Sequence, residues 1–411
     1  MSDTGEVLFN PFDPAFRADP YTAYARILAE APAHRSPMGA WVFARHADCH
    51  AVLRHPGTSM GSMFANDTER EMLLRAQGMW DDWEVSAVPE FMDTVILTQD
   101  PPDHTRMRAV MAKVFTPRAV EGLRPHIQQL VDDLLADVDD GMDVIADLAF
   151  PLPALVICEM LGIPVEDRDE LKEWSSAAAR LLDPLMDPET FRKADHGLRH
   201  FNEYFGALIA ERRRQPKDDL LTELIEAEVE GGHTLTDGEL VANATFLFGA
   251  GHETTQNLIG SGVMLLARHP DQRQLLRDDP ELARNAIEEF LRYEPPVQVT
   301  GRSITAPISV AGIDVEVGDR CVLLLAAANR DPDRFDDPTR LDVTRPDVRP
   351  LSFGGGIHHC LGAALARVEG QVAIGTLVRN FPTIELATDD VEWKETFTLR
   401  GPKTLPVSLS R

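Results

Sequence analysis

A single cysteine stands between a glycine-rich loop and an apolar run near the carboxyl end of the chain. Cys360 follows the loop 353–359, which holds three glycines, and precedes the run 361–368. If that run is a helix, its unpaired N–H groups and its dipole favour the thiolate form of the cysteine. A thiolate held in this way suits an axial bond to haem iron. A buried structural cysteine beside a turn is the alternative that the residue type leaves open.

A second chemical group lies in the middle of a long apolar segment. Thr236 and Glu239 form a Thr-x-x-Glu capping box, and the periodic sequence after them predicts one helix as far as Arg268. Glu253 and Thr254 interrupt its apolar character, together with glycines at 249 and 251. We expect the helix to widen there, so that the acid acts as a proton source and the hydroxyl as a relay. A flexible kink is the alternative.

Two further pairs have the spacing of neighbours on one helical face. His104 and Arg108 are four residues apart and supply two donors that can neutralise carboxylates. Glu289 and Arg292 are three apart on a helix that Pro295 ends, and we interpret them as a structural ion pair. Either spacing alone is common on solvated helix faces, as a second Glu-x-x-Arg at 281–284 illustrates.

Together these groups resemble the signature motifs of the cytochrome P450 family. The haem-ligand loop of that family is matched by Phe353, Gly354, Gly356, His358, Cys360 and Gly362. The segment 250–255 is similar to its oxygen-activation motif, and the pair before Tyr293 to its Glu-x-x-Arg motif. The resemblance covers about residues 11–410. It implies a P450 fold, mainly α with a small β region, with haem b between the long helix and the Cys360 loop.

The resemblance also implies roles for individual residues. Cys360 would be the metal ligand, and Thr254 and Glu253 would be catalytic. The implied haem contacts are Cys360, His104, Arg108, Arg302, His358, Phe353, Gly354 and Ala250. The implied substrate pocket holds Met92, Leu247, Val297, Val299 and Phe397. An arginine of the later meander would support the Glu289–Arg292 pair, and Arg334 is the candidate.

The implied activity is haem-thiolate monooxygenation. One atom of O2 would enter an apolar small molecule by hydroxylation or epoxidation, and terpenoids, steroids, polyketides and fatty acids all remain open as substrates. Electrons from NAD(P)H are expected to arrive through a separate ferredoxin or flavodoxin with its reductase. A hydrogen-peroxide-driven peroxygenase is disfavoured because Glu253 and Thr254 are present. A non-enzymatic haem protein that binds a ligand is disfavoured for the same reason.

Basic residues cluster in two places despite an acidic composition. The first cluster contains Arg106, Arg108, Lys113, Arg118 and Arg124, and the second contains Arg345 and Arg349. On the thiolate side of the haem they would form a docking patch for an acidic electron carrier. Scattered surface charge is the alternative.

Composition bounds the partners and the compartment. The 411 residues have a net charge of −27, which disfavours nucleic acid and anionic membranes as partners. The start of the chain lacks a signal region, and no apolar run is long enough to span a bilayer. The four cysteines have no metal-site spacing, which disfavours zinc and iron–sulfur clusters. We expect a cytoplasmic monomer.

The elements that position these groups are mainly helical. β-favouring runs near 35–60, near 297–326 and at the C-terminus predict small sheets. We find no linker or repeat and expect one domain over 1–411. Asp103, after two prolines, is expected to cap the helix that carries His104. The stretch 57–99 carries methionines and aromatics without a clean period, and the resemblance places it over the substrate pocket.

Overall fold

The structure is a computed structural model that describes residues 9–10, 16, 18–37, 39–61, 71, 74–75, 78–183, 187–229 and 232–410. The α-helices in these ranges are α1 Pro20–Glu30, α2 His46–Arg54, α3 Trp80–Val85, α4 Val88–Met92, α5 Asp103–Val114, α6 Pro117–Gly122, α7 Arg124–Leu135, α8 Pro151–Leu161, α9 Arg168–Ala179, α10 Pro188–Arg214, α11 Leu220–Glu226, α12 Asp237–Arg268, α13 Pro270–Asp278, α14 Ala283–Tyr293, α15 Leu325–Ala328 and α16 Ala363–Asn380. The strands are β1 Ala33–Arg35, β2 Trp41–Phe43, β3 Thr58–Ser59, β4 Gly141–Asp143, β5 Thr300–Ile304, β6 Ile308–Val310, β7 Ile313–Val315, β8 Arg320–Leu323, β9 Thr383–Leu386 and β10 Pro406–Ser410.

The strands pair across long sequence distances. One sheet has the order β1-β2-β8-β5-β3, in which β2 and β8 run parallel and the other neighbours are antiparallel. The β region predicted near 35–60 therefore shares one sheet with β5 and β8 of the region near 297–326. The C-terminal strand β10 lies between β4 and β9 in a second sheet, and β6 and β7 form a hairpin.

The long helix α12 lies at the centre of the molecule. Thr236 caps it, and the reciprocal bonds between Thr236 and Glu239 confirm the predicted capping box. Its 32 residues span about 48 Å at 1.5 Å per residue. Almost every residue from Thr255 to Leu266 is buried, because α8, α14 and α16 pack around it. Such a helix is a rigid support for side chains in its middle.

Two local predictions are wrong. Helix α12 is regular α throughout, so the widening expected around Glu253 does not occur. A short π-helix, in which the turns are wider than in an α-helix, lies instead at Ile145–Ala149 and packs against α12. Asp103 is the first residue of α5 and makes no capping bond with its side chain; Pro102 takes the cap position. The Asp103 side chain lies beside Arg106 instead.

No helix in the described ranges is both long enough and apolar enough to cross a membrane.

Candidate haem and oxygen-activation site

The cysteine loop is shaped by two glycines with positive φ. Gly354 and Gly356 both have φ of +67°, a conformation that residues with a Cβ rarely adopt. A Cβ at Gly356 would also collide with the backbone carbonyl of Leu53. The Cys360 amide donates to the Phe353 carbonyl at 2.9 Å, which closes the loop just before α16. The helix begins at Ala363, two residues later than the predicted run 361–368, so Cys360 lies three residues before its first turn.

The surroundings of Cys360 contain several groups that stabilise a thiolate. Cys360 is the exposed one of the four cysteines, whereas the other three are buried. The protein packed around it raises the pKa of its thiol, and the N–H groups of Gly362 and Ala363 with the guanidinium groups of Arg108 and Arg367 act in the opposite direction. An accessible sulfur beside helix N–H groups and two cations is suited to metal ligation.

Four donor groups near this cysteine form no ion pair with a carboxylate of the described residues. Arg302 is only 4% exposed, and its Nη1 contacts Met60 Sδ at 2.7 Å and the Gly301 carbonyl at 2.6 Å. Burial lowers the pKa of Arg302 to about 10. Arg108 is half-buried, and burial lowers its pKa as well. In the described part of the chain, no carboxylate forms an ion pair with either arginine.

Two histidines complete this group. The rings of His104 and His358 lie 4.4 Å apart between centroids, and the buried atoms His104 Nδ1 and His358 Nε2 have no hydrogen-bond partner among the described residues. Burial, with His104, Arg302 and Arg108 nearby, lowers the pKa of His358 to about 3. Buried donors without partners are costly. The cluster therefore fits an anionic ligand, such as a group carrying two carboxylates.

Glu253 and Thr254 form a separate group in the middle of α12. Thr254 Oγ1 donates to the Ala250 carbonyl at 3.0 Å, and both residues are accessible on a helix whose neighbouring residues are largely buried. Accessible surface in the middle of a buried helix indicates a cleft at that point. Glu253 is buried; its Oε1 lies 3.3 Å from Lys394 Nζ, and its Oε2 has no partner in the part of the chain that the structure describes. An acid with a free oxygen beside a hydroxyl can hold and pass a proton through water.

Comparison with known proteins decides the family. The Cytochrome P450 family model matches residues 74–407, which is more than three quarters of the chain. Cytochrome P450 107B1 of Saccharopolyspora erythraea is 41% identical over 98% of each chain. The chain belongs to the cytochrome P450 family. The vitamin D(3) 25-hydroxylase of Pseudonocardia autotrophica is 38% identical over 100% of this P450 and 98% of that enzyme.

Solved structures agree with the fold of this P450. The polyketide synthase cytochrome P450 PksS of Bacillus subtilis superimposes with a TM-score of 0.86 at 36% identity, covering 98% of this chain and 100% of the other. The predicted fold class, mainly α with a small β region, is thereby confirmed. Membership of the family implies a haem cofactor, and the two arginines and two histidines beside Cys360 fit its two carboxylates.

The predicted Glu289–Arg292 pair is a buried, bidentate ion pair. Both residues are 0% exposed, and the guanidinium donates to Glu289 through Nε and Nη2 at 2.7 Å each. Arg334, the candidate third member, binds Asp347 instead. Arg345 takes that place, with its Nε 3.2 Å from Glu289 Oε2. Arg334 was therefore the wrong candidate, because the backbone 342–345 folds back over α14 while Arg334 points to the loop at Asp347.

The same contact corrects part of the predicted docking patch. Arg345 is buried against Glu289 and is unavailable to a partner protein. Arg106 is paired with Glu239, Arg124 with Glu121, and Arg349 lies 2.7 Å from Asp347. The predicted docking patch, formed by both basic clusters, is therefore less positive than the sequence indicates. The docking patch stays a prediction for the other residues.

The five predicted pocket residues lie in four different apolar clusters. Val299 and Phe397 share one, in which Phe397 packs against Phe9. Met92 belongs to a second, Leu247 to a third, and Val297 borders a fourth. These five residues are not one packed group, and their role as a pocket wall stays a prediction.

Parts of the predicted pocket cover lie outside the described residues. This applies to Met63, Phe64 and Met72. The described part of 57–99 is more helical than expected, since it contains α3 and α4. Trp83 stacks on Phe191 of α10 with the ring centroids 6.0 Å apart.

Sequence reasoning missed two residues that hold the site together. Lys394 reaches Glu253 from 141 positions away. Asp183 is buried and accepts the amide N–H groups of Phe397 and Thr398 at 3.0 and 2.8 Å, which fixes the C-terminal turn. Neither residue stands in a motif, so only the folded arrangement identifies them.

Proposed function

We propose that this P450 is a haem-thiolate monooxygenase that inserts one oxygen atom of O2 into an apolar small molecule. The other oxygen atom leaves as water, which consumes two electrons and two protons. The observation that carries the proposal is the cluster of two arginines and two histidines beside the accessible Cys360, in a protein whose central helix presents Thr254 at a cleft with the buried Glu253 next to it.

The residues of the cluster would hold haem b. Cys360 would ligate the iron, and Phe353, Gly354 and Ala250 would lie against the macrocycle. Arg108, Arg302, His104 and His358 would receive the two propionate groups, whose charge satisfies the partnerless donors. When bound, the haem supplies the redox chemistry that activates O2, and a thiolate ligand favours cleavage of the O–O bond.

The protein's own contribution is proton supply. Glu253 Oε2 is free to accept water, while Lys394 holds the other carboxylate oxygen. Asn257 and Ser261 follow at intervals of four residues on the same face of α12, and their buried polar atoms have no partner. Such sites are usually occupied by ordered water. A hydrated track along α12 would therefore lead protons to Glu253 and then to Thr254.

We expect Glu253→Gln to lower kcat by about 10²-fold or more, since it removes a general acid. Lys394→Met removes only the group that positions Glu253, and we expect about a tenfold fall in kcat without a change in the KM for substrate. Lys394→Arg keeps the cation and should restore turnover. Steady-state kinetics, together with the ratio of product formed to NAD(P)H consumed, check the predictions for Glu253 and for Lys394. Unchanged kcat in Glu253→Gln would show that the acid has no part in proton delivery.

The substrate is proposed to be a sizeable apolar molecule, as in secondary metabolism. Two relatives are named for vitamin D(3) 25-hydroxylation and for a polyketide pathway, which supports the steroid and polyketide classes among those considered. The apolar clusters around Met92 and Phe397 are compatible with both classes. Difference spectra recorded with macrolides, steroids, terpenoids and fatty acids would rank the classes by affinity.

Electrons are proposed to come from NAD(P)H through a ferredoxin or flavodoxin that docks on the remaining basic residues. The protein itself is proposed to act as a cytoplasmic monomer that forms one domain. The test is product formation from a bound substrate with a ferredoxin, its reductase and NADPH. Product with hydrogen peroxide alone would indicate a peroxygenase. A spectral shift without product under either condition would indicate a ligand-binding haem protein.

A further inference from the structure

Two histidines on the outer surface of α10 point their ring nitrogens at each other. His196 and His200 are one helical turn apart, the first exposed and the second half-buried. The ring centroids are 4.3 Å apart, but the two Nε2 atoms are only 3.2 Å apart. The two nitrogens that imidazole most often offers to a metal ion therefore lie closer together than the ring centroids do.

This separation matches two ligands of one ion. Two imidazole nitrogens at 2.0–2.1 Å from a tetrahedral metal are about 3.3 Å apart, and the observed distance is close to that value. Without an ion, the same contact is a hydrogen bond from one neutral ring to the other. An ion would replace that bond with two stronger contacts at little cost in side-chain order.

We propose that His196 and His200 form a binding site for a divalent transition-metal ion, separate from the haem site. Imidazole suits copper, nickel and zinc, and the affinities should follow the order in which Cu²⁺ binds more tightly than Ni²⁺ and Zn²⁺. In the described ranges, no group of three or more His, Cys, Asp or Glu side chains could hold a metal ion. Water would therefore complete the coordination of the ion between the two rings.

The surroundings of the pair favour this role. Trp174 of α9 stacks on His200 with the centroids 4.7 Å apart and an interplanar angle of 13°, which fixes the ring orientation. The neighbouring cation Arg199 is paired with Asp195 at 3.0 Å. Lys193 is paired with Glu189 at 2.7 Å. Their repulsion of an incoming cation is thereby reduced, and the net charge of −27 attracts cations to the molecule.

A second histidine pair of identical spacing serves as a built-in comparison. His46 and His50 are also four residues apart on a helix, but their rings are stacked, with centroids 6.3 Å apart and an interplanar angle of 10°. His46 Nε2 lies 3.2 Å from the Arg349 carbonyl and is engaged there. Sequence spacing alone would rate the two pairs equally, and the side-chain geometry separates them.

The test is titration of the full-length protein with CuCl2 in a non-chelating buffer. Calorimetry reports affinity and stoichiometry, and quenching of tryptophan emission by the open-shell ion reports proximity to Trp174. Removing a residue that only hydrogen-bonds to a metal ligand already lowers the affinity for the metal by about 10- to 100-fold. His196→Ala and His200→Ala should therefore each weaken binding by at least about tenfold. Trp174→Phe should keep the calorimetric binding and lose the quenching.

His50→Ala is the matched control and should leave both signals unchanged. Zn²⁺ has a closed shell and should compete with Cu²⁺ for the site without quenching. Equal copper affinity in wild type, His196→Ala and His200→Ala would overturn the proposal. Equal loss of binding in His50→Ala would overturn it too, because it would show diffuse coordination by surface histidines. The four substituted residues are at least partly accessible, and circular dichroism of each variant verifies the fold; they are His50, Trp174, His196 and His200.

Discussion

Replacing Cys360 by serine is expected to abolish monooxygenase turnover and the red-shifted absorption band of the ferrous carbon-monoxide complex. A serine hydroxyl stays protonated at neutral pH, so the iron would lose its anionic sulfur donor. Haem should still bind, more weakly, because the proposed contacts of Arg108, Arg302, His104 and His358 with its carboxylates would remain. The measurement is a carbon-monoxide difference spectrum together with product formation.

Cys158→Ala is the control for the cysteine experiment. Cys158 is buried in α8, and burial raises the pKa of its thiol to about 12, so it is a poor thiolate. We expect the variant to keep the red-shifted band and to lose only some stability. If Cys360→Ser kept the band instead, another residue would have to be the axial ligand.

The second large effect concerns the buried ion pair below the cysteine loop. Arg292→Ala leaves the Glu289 carboxylate fully buried with only Arg345 and a backbone N–H to compensate its charge. It also leaves the carbonyls of Asn329 and Pro338 without the hydrogen bonds that Arg292 donates to them, whereas the Arg340 carbonyl keeps the bond from Arg345. Removing one partner of a buried ion pair costs about 3–5 kcal/mol in the free energy of unfolding. That loss is a large fraction of the about 5–15 kcal/mol typical of a folded protein.

Denaturant unfolding of the haem-loaded protein measures this effect. Arg284→Ala is the matched control, since Arg284 is also three residues after a glutamate but is exposed, and its effect should stay within about 0.5 kcal/mol. Arg345→Ala should cost more stability than Arg334→Ala, because Arg345 contacts Glu289 and Arg334 does not. Equal losses from the two arginines would contradict the arrangement described above.

The sequence by itself determined the parts of the site that depend on local chemistry. The Cys360 loop needs glycines that tolerate positive φ, α12 needs its capping box, and the Glu289–Arg292 pair needs one helical turn of spacing. These requirements are met within a few residues, so these features can be predicted from the sequence. The fold class followed from them through the family's motifs.

Only the tertiary structure decided which distant groups meet. Lys394 reaches Glu253, Arg345 replaces Arg334 at Glu289, and two histidine pairs of equal spacing differ in whether their nitrogens converge. The secondary-structure propensity and the hydrophobic pattern of each segment do not indicate any of these contacts. They depend on how strands and loops far apart in the chain pack, and on the side-chain rotamers that this packing permits.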